Sequence, residues 1–586
     1  MPLKTFLIFS PEFKYISCDP DERLADEDGE VSVVHVGQFP LKSDPKSILA
    51  WCPKMNLLLM TRDKNTLHCF RIRGEEIYFV NNGAEIKGIT CHEKNFCLSG
   101  ADKTIKIYDS SDGKLIKTLD QKFADIEFIH WSSTNYQLKN KVLKSLPIIY
   151  NDISYNLDYL VINDEKSITF TINKVLNINI VTKYQIRLQV QSALFEQKYL
   201  DDSQRLISIE IPTKSREAYA DLMILLCQVI EYLERSKSTL SEIEKELKTF
   251  YVAINRYLSN LKTEIKGDLL QDLGDMLLTG TIPDNTKDFW VNQFGERGLK
   301  KMNKLLEIVF EECHKKIFQY LIAPMERVIA LLDELNGITK WKNPIELDEK
   351  DINKLTKECQ AELKAYTQFI WDLKEEKEHY EEFFNWWKTI VDKFADKEET
   401  NSYSTSKLLE FIHANLLQSK VLQYISTDFD TIKQLGERNL LSESQQNLSD
   451  SFQVILDQVD DYHQSNVEIS VYAEIYHPTP SFDMRGSTWG LQIVEAHTDY
   501  YDKTLEVWKA NGQVIDKVEG ARGFEFSDKD MVALTKDSLY VLDHATTTPV
   551  PLPDLPFEPA HLAVNSKYVW ITDKNKVHYA VLKLVL

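Results

Sequence analysis

The stretch DKTIKIY, residues 102–108, recurs as DKTLEVW at residues 502–508. Each copy runs into a polar turn and a second apolar strand, DSSDGKLIKTL after the first copy and KANGQVIDKV after the second. Two strand–turn–strand units of one kind, with hundreds of dissimilar residues between them, indicate one β-architecture that is interrupted and then resumed.

The residues around the first copy repeat the same pattern. Strands of alternating apolar residues flank turns that carry Asp and Lys, the signature of β-hairpins. Thr66 and Thr104 occupy equivalent turns 38 residues apart, a spacing that suits a four-stranded propeller blade of roughly 40–45 residues. The predicted hairpins are LLLMTRDKNTLHCFRI (57–72), FCLSGADKTIKIYD (96–109) and YLVINDEKSITFTI (159–172), and the predicted inner strands are ILAWCP (48–53), IKGITC (86–91) and IEFIHWS (126–132).

A helical pattern replaces the strands from about Thr213. Only three of the 18 prolines lie between residues 214 and 477, and proline interrupts helices. Apolar residues recur every three or four positions, which places a stripe along one helix face, as in bundles. The rows run from Leu240 to Leu261, from Leu299 to Tyr320, from Tyr366 to Phe394 and from Leu448 to Val459.

The strand pattern returns after about residue 477. Roughly seven hairpin units result, four before the helices and three after them. The simplest interpretation is a divergent WD40-type β-propeller of about seven blades with a long all-α bundle inserted, because an open ring would leave unpaired strand edges. The predicted domains are 1–213 for the first part of the propeller, 214–465 for the helical insertion and 466–586 for the remaining blades. Two separate β-domains flanking a bundle are the alternative.

Strand-like segments near the two ends favour a single ring. TFLIF (5–9) and VHYAVLKLVL (577–586) are both apolar and β-prone, so we predict that they complete one shared terminal blade. An insertion of about 250 residues is tolerable between strands, since the entropy of loop closure grows only logarithmically with length.

Bulk charge and cysteine use limit the function. The net charge of −21 disfavours binding to phosphate backbones, and the basic run LKKMNK (299–304) is too short to change this. The eight cysteines have no framework spacing and fit buried thiols of a cytosolic or nuclear protein. The N-terminal apolar stretch is too short for a secretory signal, and no run approaches the ~20 residues of a membrane span.

No catalytic or metal-binding constellation emerges. The sequence lacks a phosphate-binding loop, a nucleophile elbow and a zinc-protease motif. The group Cys91, His92 and Cys97 lacks the paired spacing of zinc sites, so we interpret these thiols as core residues. The acidic run DLKEEKEHYEEFFNWW (372–387) is interpreted as a solvated helix face with i,i+4 pairs. We therefore predict no enzyme activity, cofactor or metal.

Trp386 and Trp387 are the most informative aromatic pair. Trp387 falls on the apolar stripe, whereas Trp386 is rotated by about 100° toward the face of Phe383 and Ile390. An exposed tryptophan there would suit a partner interface, where tryptophan is enriched among residues that dominate binding. Trp386, Phe383 and Ile390 are therefore the candidate partner-binding residues, and the alternative is a broad stripe that buries both tryptophans.

The whole pattern resembles the family of anaphase-promoting complex (cyclosome) subunit 4. The resemblance depends on the blade ILAWCPKMNLLLMTRDKNTLHCFRI (48–72), on the helical insertion before the last blades and on a degraded repeat signature. Tyr108-Asp109 stands where Trp-Asp is usual, and Trp508-Lys509 keeps only the tryptophan. These departures fit blades that serve as a framework.

The resemblance implies a scaffold without catalytic residues, in the platform of a multisubunit RING-type ubiquitin ligase that marks cyclins and securin for destruction in mitosis. It implies contacts with the large first subunit and the helical-repeat fifth subunit, hence a hetero-oligomer of the nucleus and cytoplasm without nucleic-acid or membrane partners. A scaffold of another assembly, such as a vesicle coat or a nuclear-pore-like complex, is the alternative, and an enzyme is a further one.

Overall fold

The structure is a computed structural model of the 586-residue chain. It describes residues 32–40, 47–52, 55–71, 74–119, 123–138, 149–150, 153–192, 196–201, 205–265, 267–395, 403–436, 440–474, 482–484, 489–496, 503–509, 514–526, 531–542, 547–564, 568–574 and 578–585.

The described strands between residues 49 and 210 form three complete blades and three strands of a fourth. The earliest described strand is β1 (Ser32–Pro40). Blade 1 contains β2 (Leu49–Cys52), β3 (Leu57–Asp63), β4 (Thr66–Arg71) and β5 (Glu76–Asn81). Blade 2 contains β6 (Ile86–His92), β7 (Asn95–Gly100), β8 (Ile105–Asp109) and β9 (Leu115–Thr118). Blade 3 contains β10 (Ile126–Gln137), β11 (Asn156–Asp164), β12 (Ser167–Ile172) and β13 (Leu176–Val181). Blade 4 begins with β14 (Ile186–Ser192), β15 (Glu196–Asp201) and β16 (Arg205–Glu210).

Helices follow β16. They are α1 (Arg216–Glu264), α2 (Leu269–Thr279), α3 (Gly295–Ile317), α4 (Ala323–Trp341), α5 (Glu349–Phe394), α6 (Thr405–Ala414) and α7 (Leu441–Asn466). π-helical segments precede α3 and α4, at Phe289–Phe294 and Phe318–Ile322. Two short parallel strands, β17 (Gln418–Ser419) and β18 (Lys433–Gln434), lie between α6 and α7.

The remaining strands complete the blades. β19 (Glu468–Glu474) is the fourth strand of blade 4. Blade 5 contains β20 (Phe482–Met484), β21 (Trp489–Ala496), β22 (Lys503–Lys509) and β23 (Val514–Ala521). Blade 6 contains β24 (Gly523–Phe526), β25 (Met531–Leu534), β26 (Ser538–Leu542) and β27 (Thr547–Pro551). Blade 7 contains β28 (His561–Val564), β29 (Tyr568–Thr572) and β30 (His578–Val585), with β1 as its outer strand.

The predicted fold class is confirmed: WD40-like sheets are interrupted by a long helical region. The described residues form seven four-stranded blades. Both copies of the opening repeat contain third strands, since DKTIKIY leads into β8 and the described residues KTLEVW (503–508) lie in β22. In the first copy, a carboxylate oxygen of Asp102 accepts hydrogen bonds from the Thr104 hydroxyl at 2.8 Å and the Thr104 backbone N–H at 3.3 Å. The turn chemistry is therefore local, as expected for Asp in tight turns.

The helical region is inserted inside a blade rather than between two blades. β16 pairs antiparallel with β19 across it, with Arg205 opposite Glu474 and Glu210 opposite Glu468. The third and fourth strands of blade 4 are thus adjacent in space although the seven helices separate them in sequence.

Strands from the two ends of the chain close the ring. β1 pairs antiparallel with β30, from Ser32 opposite Val585 to Pro40 opposite His578. The shared terminal blade therefore exists, but its N-terminal strand is residues 32–40, and the predicted TFLIF strand lies outside the described residues.

The inner strands of blades 7 and 1 also contact each other where the ring closes. β28 contacts β2, and the Trp51 and Trp570 rings meet edge to face with centroids 4.8 Å apart. Trp570 also stacks on Tyr579 at 4.8 Å. Burying such large rings contributes strongly to the stability of a core, so this apolar cluster fixes the closure of the ring.

The two kinds of structure form two compact units. The strand-rich unit comprises the described residues up to 136, from 156 to 213 and from 460 onward; the helical unit comprises those of 137–155 and 214–459. The segment 137–155 therefore belongs to the helical unit although it lies between two blade strands in sequence.

The helical unit depends on two long helices. α1 spans 49 residues and begins at Ser215, whose side chain accepts a hydrogen bond from the Ala218 N–H, an N-cap interaction. The predicted row of apolar residues began only at Leu240, because residues 218–230 are buried on almost every side and a helix that is apolar all round shows no stripe. α5 spans 46 residues, from the capping Asp348 onward.

Candidate functional site

A polar buried site lies in the helical unit, where α5 passes the segment between α6 and α7. Glu376, on α5, accepts hydrogen bonds from the Tyr251 hydroxyl at 2.7 Å, the Ser419 hydroxyl at 2.8 Å and the Val421 backbone N–H at 3.3 Å. Tyr251 belongs to α1. One carboxylate therefore ties two long helices to β17 and to the turn that follows it.

Burial sets the protonation of this carboxylate. It raises the pKa of Glu376 to about 7, although the hydrogen bonds from Tyr251, Ser419 and Val421 act in the opposite direction. Burial also raises the pKa of Tyr251 well above its ordinary value, and the nearby Glu376 adds to the effect. Desolvation disfavours the charged form of both groups, so the tyrosine stays a neutral donor and the glutamate titrates near neutrality.

Asp372, one turn earlier on α5, holds the same segment at a second point. It accepts hydrogen bonds from the Tyr424 hydroxyl at 2.7 Å and the side-chain amide of Gln423 at 3.1 Å. The Tyr424 ring also packs on Phe369, with ring centroids 4.4 Å apart. The segment is thus fixed by alternating polar and aromatic contacts along one helix.

These contacts correct one prediction. The run 372–387 was interpreted as a solvated face, and Glu375, Glu378 and Glu381 are exposed. Asp372 and Glu376 are instead buried. Leu373, Glu376 and Tyr380 are spaced by three and four residues, which places Glu376 on the apolar stripe itself; that spacing was the available signal.

A small pocket opens beside the two acids. It is lined by Asp372, Glu375, Glu376, His379, Phe411, Asn415, Gln418 and Lys420. Its cavity of about 10 Å³ is at the lower limit for one water molecule. Lys420 pairs with Glu375 at 2.8 Å, and burial lowers the pKa of His379.

The pocket lacks the arrangement of a catalytic site. Catalysis needs convergent polar groups around a space where a substrate atom can sit. Here the Glu376 and Asp372 carboxylates are occupied by donors from the protein itself. The arrangement holds a non-helical segment against α5 and makes that attachment sensitive to protonation.

The cysteine and histidine candidates separate in the structure. Cys91 faces Cys52, with 3.3 Å between the two Sγ atoms, whereas His92 Nε2 lies 3.3 Å from Asp158 Oδ1. The six buried thiols are Cys52, Cys69, Cys97, Cys227, Cys313 and Cys359, as predicted for core residues; Cys91 is partly exposed, and Cys18 lies outside the described residues. No group of three or more His, Cys, Asp or Glu side chains in the described part of the chain is placed to hold a metal ion.

The exposure predicted for Trp386 is wrong. Trp386 is 3% exposed, and Phe383 and Ile390 are buried as well. Phe383 contacts aromatic rings on both sides: its ring centroid lies 5.8 Å from that of Phe411 on α6 and 5.8 Å from that of Trp386. The alternative interpretation, a broad stripe that buries both tryptophans, is what the structure shows.

Two other tryptophans are exposed instead. Trp371 on α5 is 61% exposed, and Trp341 at the end of α4 is 90% exposed. Trp371 follows the striped position Ile370 and is therefore rotated off the stripe by about 100°, the same argument that had pointed to Trp386. Sequence alone cannot separate the two, because both lie next to the apolar stripe and only tertiary packing decides which is covered.

None of the described helices combines the length and the apolar character needed to cross a bilayer.

The fold defines a class, a WD40-type β-propeller with a helical bundle inserted into one blade. Two family models match the chain. "Anaphase-promoting complex subunit 4 WD40 domain" matches residues 49–134, from β2 into β10. "Anaphase-promoting complex, cyclosome, subunit 4" matches residues 205–397, from β16 through α5. Over these residues the chain is similar to anaphase-promoting complex subunit 4, and the resemblance that its sequence pattern predicted is confirmed.

Solved structures give only distant likenesses. The Neurospora crassa Pan2 WD40 domain is 7% identical over 94% of this chain and 95% of that one, with a TM-score of 0.35. A chain of the crystal structure of BBS1N in complex with ARL6DN is 12% identical, with a TM-score of 0.21. The match covers 27% of this chain and 46% of that one, so the aligned part spans about half of its length. BamB from Moraxella catarrhalis is 8% identical over 26% of this chain and 42% of that one, with a TM-score of 0.17. No curated protein matches. At these scores the three structures carry no argument about function.

Proposed function

We propose that the chain is a non-catalytic scaffold subunit of the anaphase-promoting complex, the multisubunit RING-type ubiquitin ligase that controls mitotic progression. In this proposal residues 1–213 and 466–586 are one propeller and residues 214–465 its helical insertion. The chain joins subunits of the platform, namely the large first subunit and the helical-repeat fifth subunit. It acts in the nucleus and cytoplasm, without a nucleic-acid or membrane partner.

The observation that carries the proposal is where the family match to residues 205–397 falls. It begins with β16, the last strand before the insertion, and runs through the helices to the end of α5. The match therefore includes the passage from blade to helix, which is the unusual feature of this architecture. A second match to the first blades supports the same assignment independently.

Exposed aromatic side chains support a role in assembly. Trp341 and Trp371 in the helical unit, and Phe79 on the outer strand of blade 1, are each more than half exposed. Tryptophan is enriched among the residues that dominate protein–protein interfaces. Exposed large apolar groups on a subunit are accounted for when a partner covers them.

The pocket beside Glu376 supports a non-catalytic role. A cavity of about 10 Å³ admits a water molecule but no substrate. Its acids are committed to hydrogen bonds that hold the chain together.

The test is affinity purification of the tagged full-length chain from its own cells, with quantitative mass spectrometry of stoichiometric partners. We expect the subunits of the anaphase-promoting complex, with the first and fifth subunits retained longest as salt is raised. Recovery of vesicle-coat or nuclear-pore components, or of a monomer without partners, would overturn the proposal.

A matched pair of variants sharpens this test. Trp371→Ala removes an exposed ring from the helical unit, and we expect it to weaken retention of a neighbouring subunit. Lys364→Ala changes another exposed side chain on the same helix and serves as the control. Equal retention for both variants would remove Trp371 from the interface while leaving the family assignment untouched.

A further inference from the structure

Two cysteines occupy equivalent positions in consecutive blades. Cys52 is the last residue of β2, and Cys91 lies near the end of β6, 39 residues later. This separation matches the blade repeat, in which Thr66 and Thr104 are 38 residues apart. β2 and β6 are the inner strands of blades 1 and 2 and contact each other, so the repeat itself brings the two side chains together.

The two sulfur atoms are in direct contact. The Cys52 thiol donates a hydrogen bond to Cys91 Sγ at 3.3 Å, and the Ser110 hydroxyl lies 3.6 Å from Cys52 Sγ. Cys52 is fully buried, while Cys91 is partly exposed. Cys91 can therefore contact a solute, whereas Cys52 is reached only through Cys91.

We propose that Cys52 and Cys91 form a modification site for hydroperoxides, which oxidise the pair to a reversible disulfide between blades 1 and 2. An S–S bond is about 2.05 Å long, so the two sulfur atoms have to approach by about 1.3 Å. Intracellular disulfides, where they occur, are transient and redox-sensing rather than structural.

The reaction balances with hydrogen peroxide as the oxidant. The Cys52 thiolate accepts the Cys91 proton as Cys91 Sγ attacks one peroxide oxygen, the O–O bond breaks, and the hydroxide that leaves takes this proton from Cys52 to become water. The product is a sulfenic acid on Cys91. The Cys52 sulfur, as thiolate, then attacks Cys91 Sγ; the S–S bond forms, the S–O bond breaks, and a second water leaves. Two thiols and one peroxide yield one disulfide and two waters.

The surroundings favour ionisation of Cys52 over the other blade cysteines. The hydrogen bond with Cys91 lowers the pKa of Cys52 more than burial raises it, and Ser110 adds to the lowering. The same hydrogen bond, together with burial, raises the pKa of Cys91 well above its ordinary value, so the pair keeps its remaining proton on Cys91 once Cys52 ionises. Burial raises the pKa of Cys69 to about 12 and that of Cys97 above its ordinary range. Since the thiolate is the reactive form, Cys69 and Cys97, which are as fully buried as Cys52, serve as internal controls.

The experiment uses the purified full-length chain, reduced, desalted and then exposed to hydrogen peroxide under native conditions. Remaining thiols are blocked with N-ethylmaleimide, and tryptic peptides are analysed without reduction. Each cysteine falls in its own peptide: residues 47–54, 88–94, 65–71 and 95–103 contain Cys52, Cys91, Cys69 and Cys97 respectively.

We expect a linked peptide that joins 47–54 to 88–94 and disappears on treatment with dithiothreitol. Reversible oxidation of this pair should exceed that of Cys69 and Cys97 by about tenfold, because only the pair contains a thiol with a lowered pKa, Cys52, in contact with a second cysteine. Cys97→Ser should keep the link, and Cys91→Ser should abolish it and leave Cys52 reduced.

Three results would overturn the proposal. One is that Cys52 and Cys91 stay free at peroxide concentrations that oxidise a small-molecule thiol added as reference. The second is a link that forms only after denaturation, and the third is a link from either residue to another cysteine. Each of these results would mean that Cys52 and Cys91 are two packed core thiols without a redox role. None of them would affect the proposed scaffold role.

Discussion

The two units of the molecule stabilise their contacts in different ways. In the strand-rich unit, blades 7 and 1 meet through apolar rings and aliphatic groups, including Trp51, Trp570 and Tyr579. In the helical unit, α5 buries two carboxylates, Asp372 and Glu376, which hold a non-helical segment. Apolar contacts do not titrate, whereas a buried carboxylate does. Closure of the ring should therefore be insensitive to pH, and the attachment of the segment should depend on it.

The largest expected effect is on ring closure. Trp570→Ala removes a ring that packs against both Trp51 and Tyr579, and truncation of a buried tryptophan destabilises by about 5 kcal/mol at the upper end of the usual range. Denaturant unfolding followed by β-sheet circular dichroism measures this loss. Phe79→Ala, at an exposed ring in the same unit, is the control and should change stability by about 0.5 kcal/mol or less. Equal effects of the two substitutions would contradict closure through this cluster.

The next effect separates two tryptophans of one helix. Trp386→Ala leaves a cavity beside Phe383 and should reduce the free energy of unfolding by about 4 kcal/mol. Trp371→Ala, at a ring that is 61% exposed, should change it by about 0.5 kcal/mol or less. Chemical denaturation of the full chain, monitored by helical ellipticity, gives both values. If Trp371→Ala is the more destabilising variant, the packing of α6 on α5 is wrong.

A pH effect distinguishes the two units most sharply. The pKa of Glu376 is raised from 4.5 to about 7 in the folded protein, so the folded state binds this proton more tightly than the unfolded chain. Its contribution to stability is complete below pH 4.5 and is lost as pH rises through 7. The loss amounts to about 3 kcal/mol if the whole shift is realised.

Glu376→Gln tests this difference, because glutamine keeps the size and removes the titration. Unfolding of wild type and variant should be compared at pH 5 and pH 8. We expect the helical transition of wild type to weaken over this interval and that of the variant to change less. Parallel pH profiles would show that Glu376 is not the titrating group.

The smallest expected effect concerns the rim of the same pocket. Lys420 and Glu375 form an ion pair at 2.8 Å with both side chains well exposed to solvent, and such pairs contribute about 0–1 kcal/mol. Lys420→Ala should therefore lower stability by less than about 1 kcal/mol, and the loss should vanish in 1 M salt. A loss of stability larger than about 1 kcal/mol that persists in 1 M salt would mean that the Lys420–Glu375 pair, rather than the buried Glu376, stabilises the segment.

The blades were predictable from sequence because their signals are local. The Asp102 side chain bonds to Thr104 two residues on, and the strands on either side of the turn pair directly with each other. The same local signal identified a strand after the insertion, since the repeat around DKTLEVW contains the third strand of its blade, as the repeat around DKTIKIY does. The residues of the closing strand were the exception: pairing with β30 is decided by the whole ring, and sequence pointed to residues 5–9 rather than Ser32–Pro40.

The helical unit was less predictable because its signals are long-range. Helix positions followed from the apolar rows, but the aromatic cluster that contains Phe383 and Trp386 also includes Phe411, a residue of another helix. The burial of Glu376 depends on Tyr251 and Ser419, far away in sequence in both directions. The Cys52–Cys91 contact was partly predictable from sequence. The blade repeat places both residues near strand ends, but their contact also requires blades 1 and 2 to pack together.

The central claim is that one ring is interrupted within blade 4 and resumed after the helices. Glu210 and Glu468 are directly opposite on β16 and β19 and are both exposed; opposite strand residues lie about 4.5–5.5 Å apart between Cα atoms, within the range of a disulfide. The decisive measurement is oxidative cross-linking of the double variant Glu210→Cys with Glu468→Cys, beside Glu210→Cys with Val471→Cys, whose side chains lie out of register. A rapid cross-link in the first variant and none in the second is the predicted result. No cross-link in either, with the protein folded, would contradict the single interrupted ring.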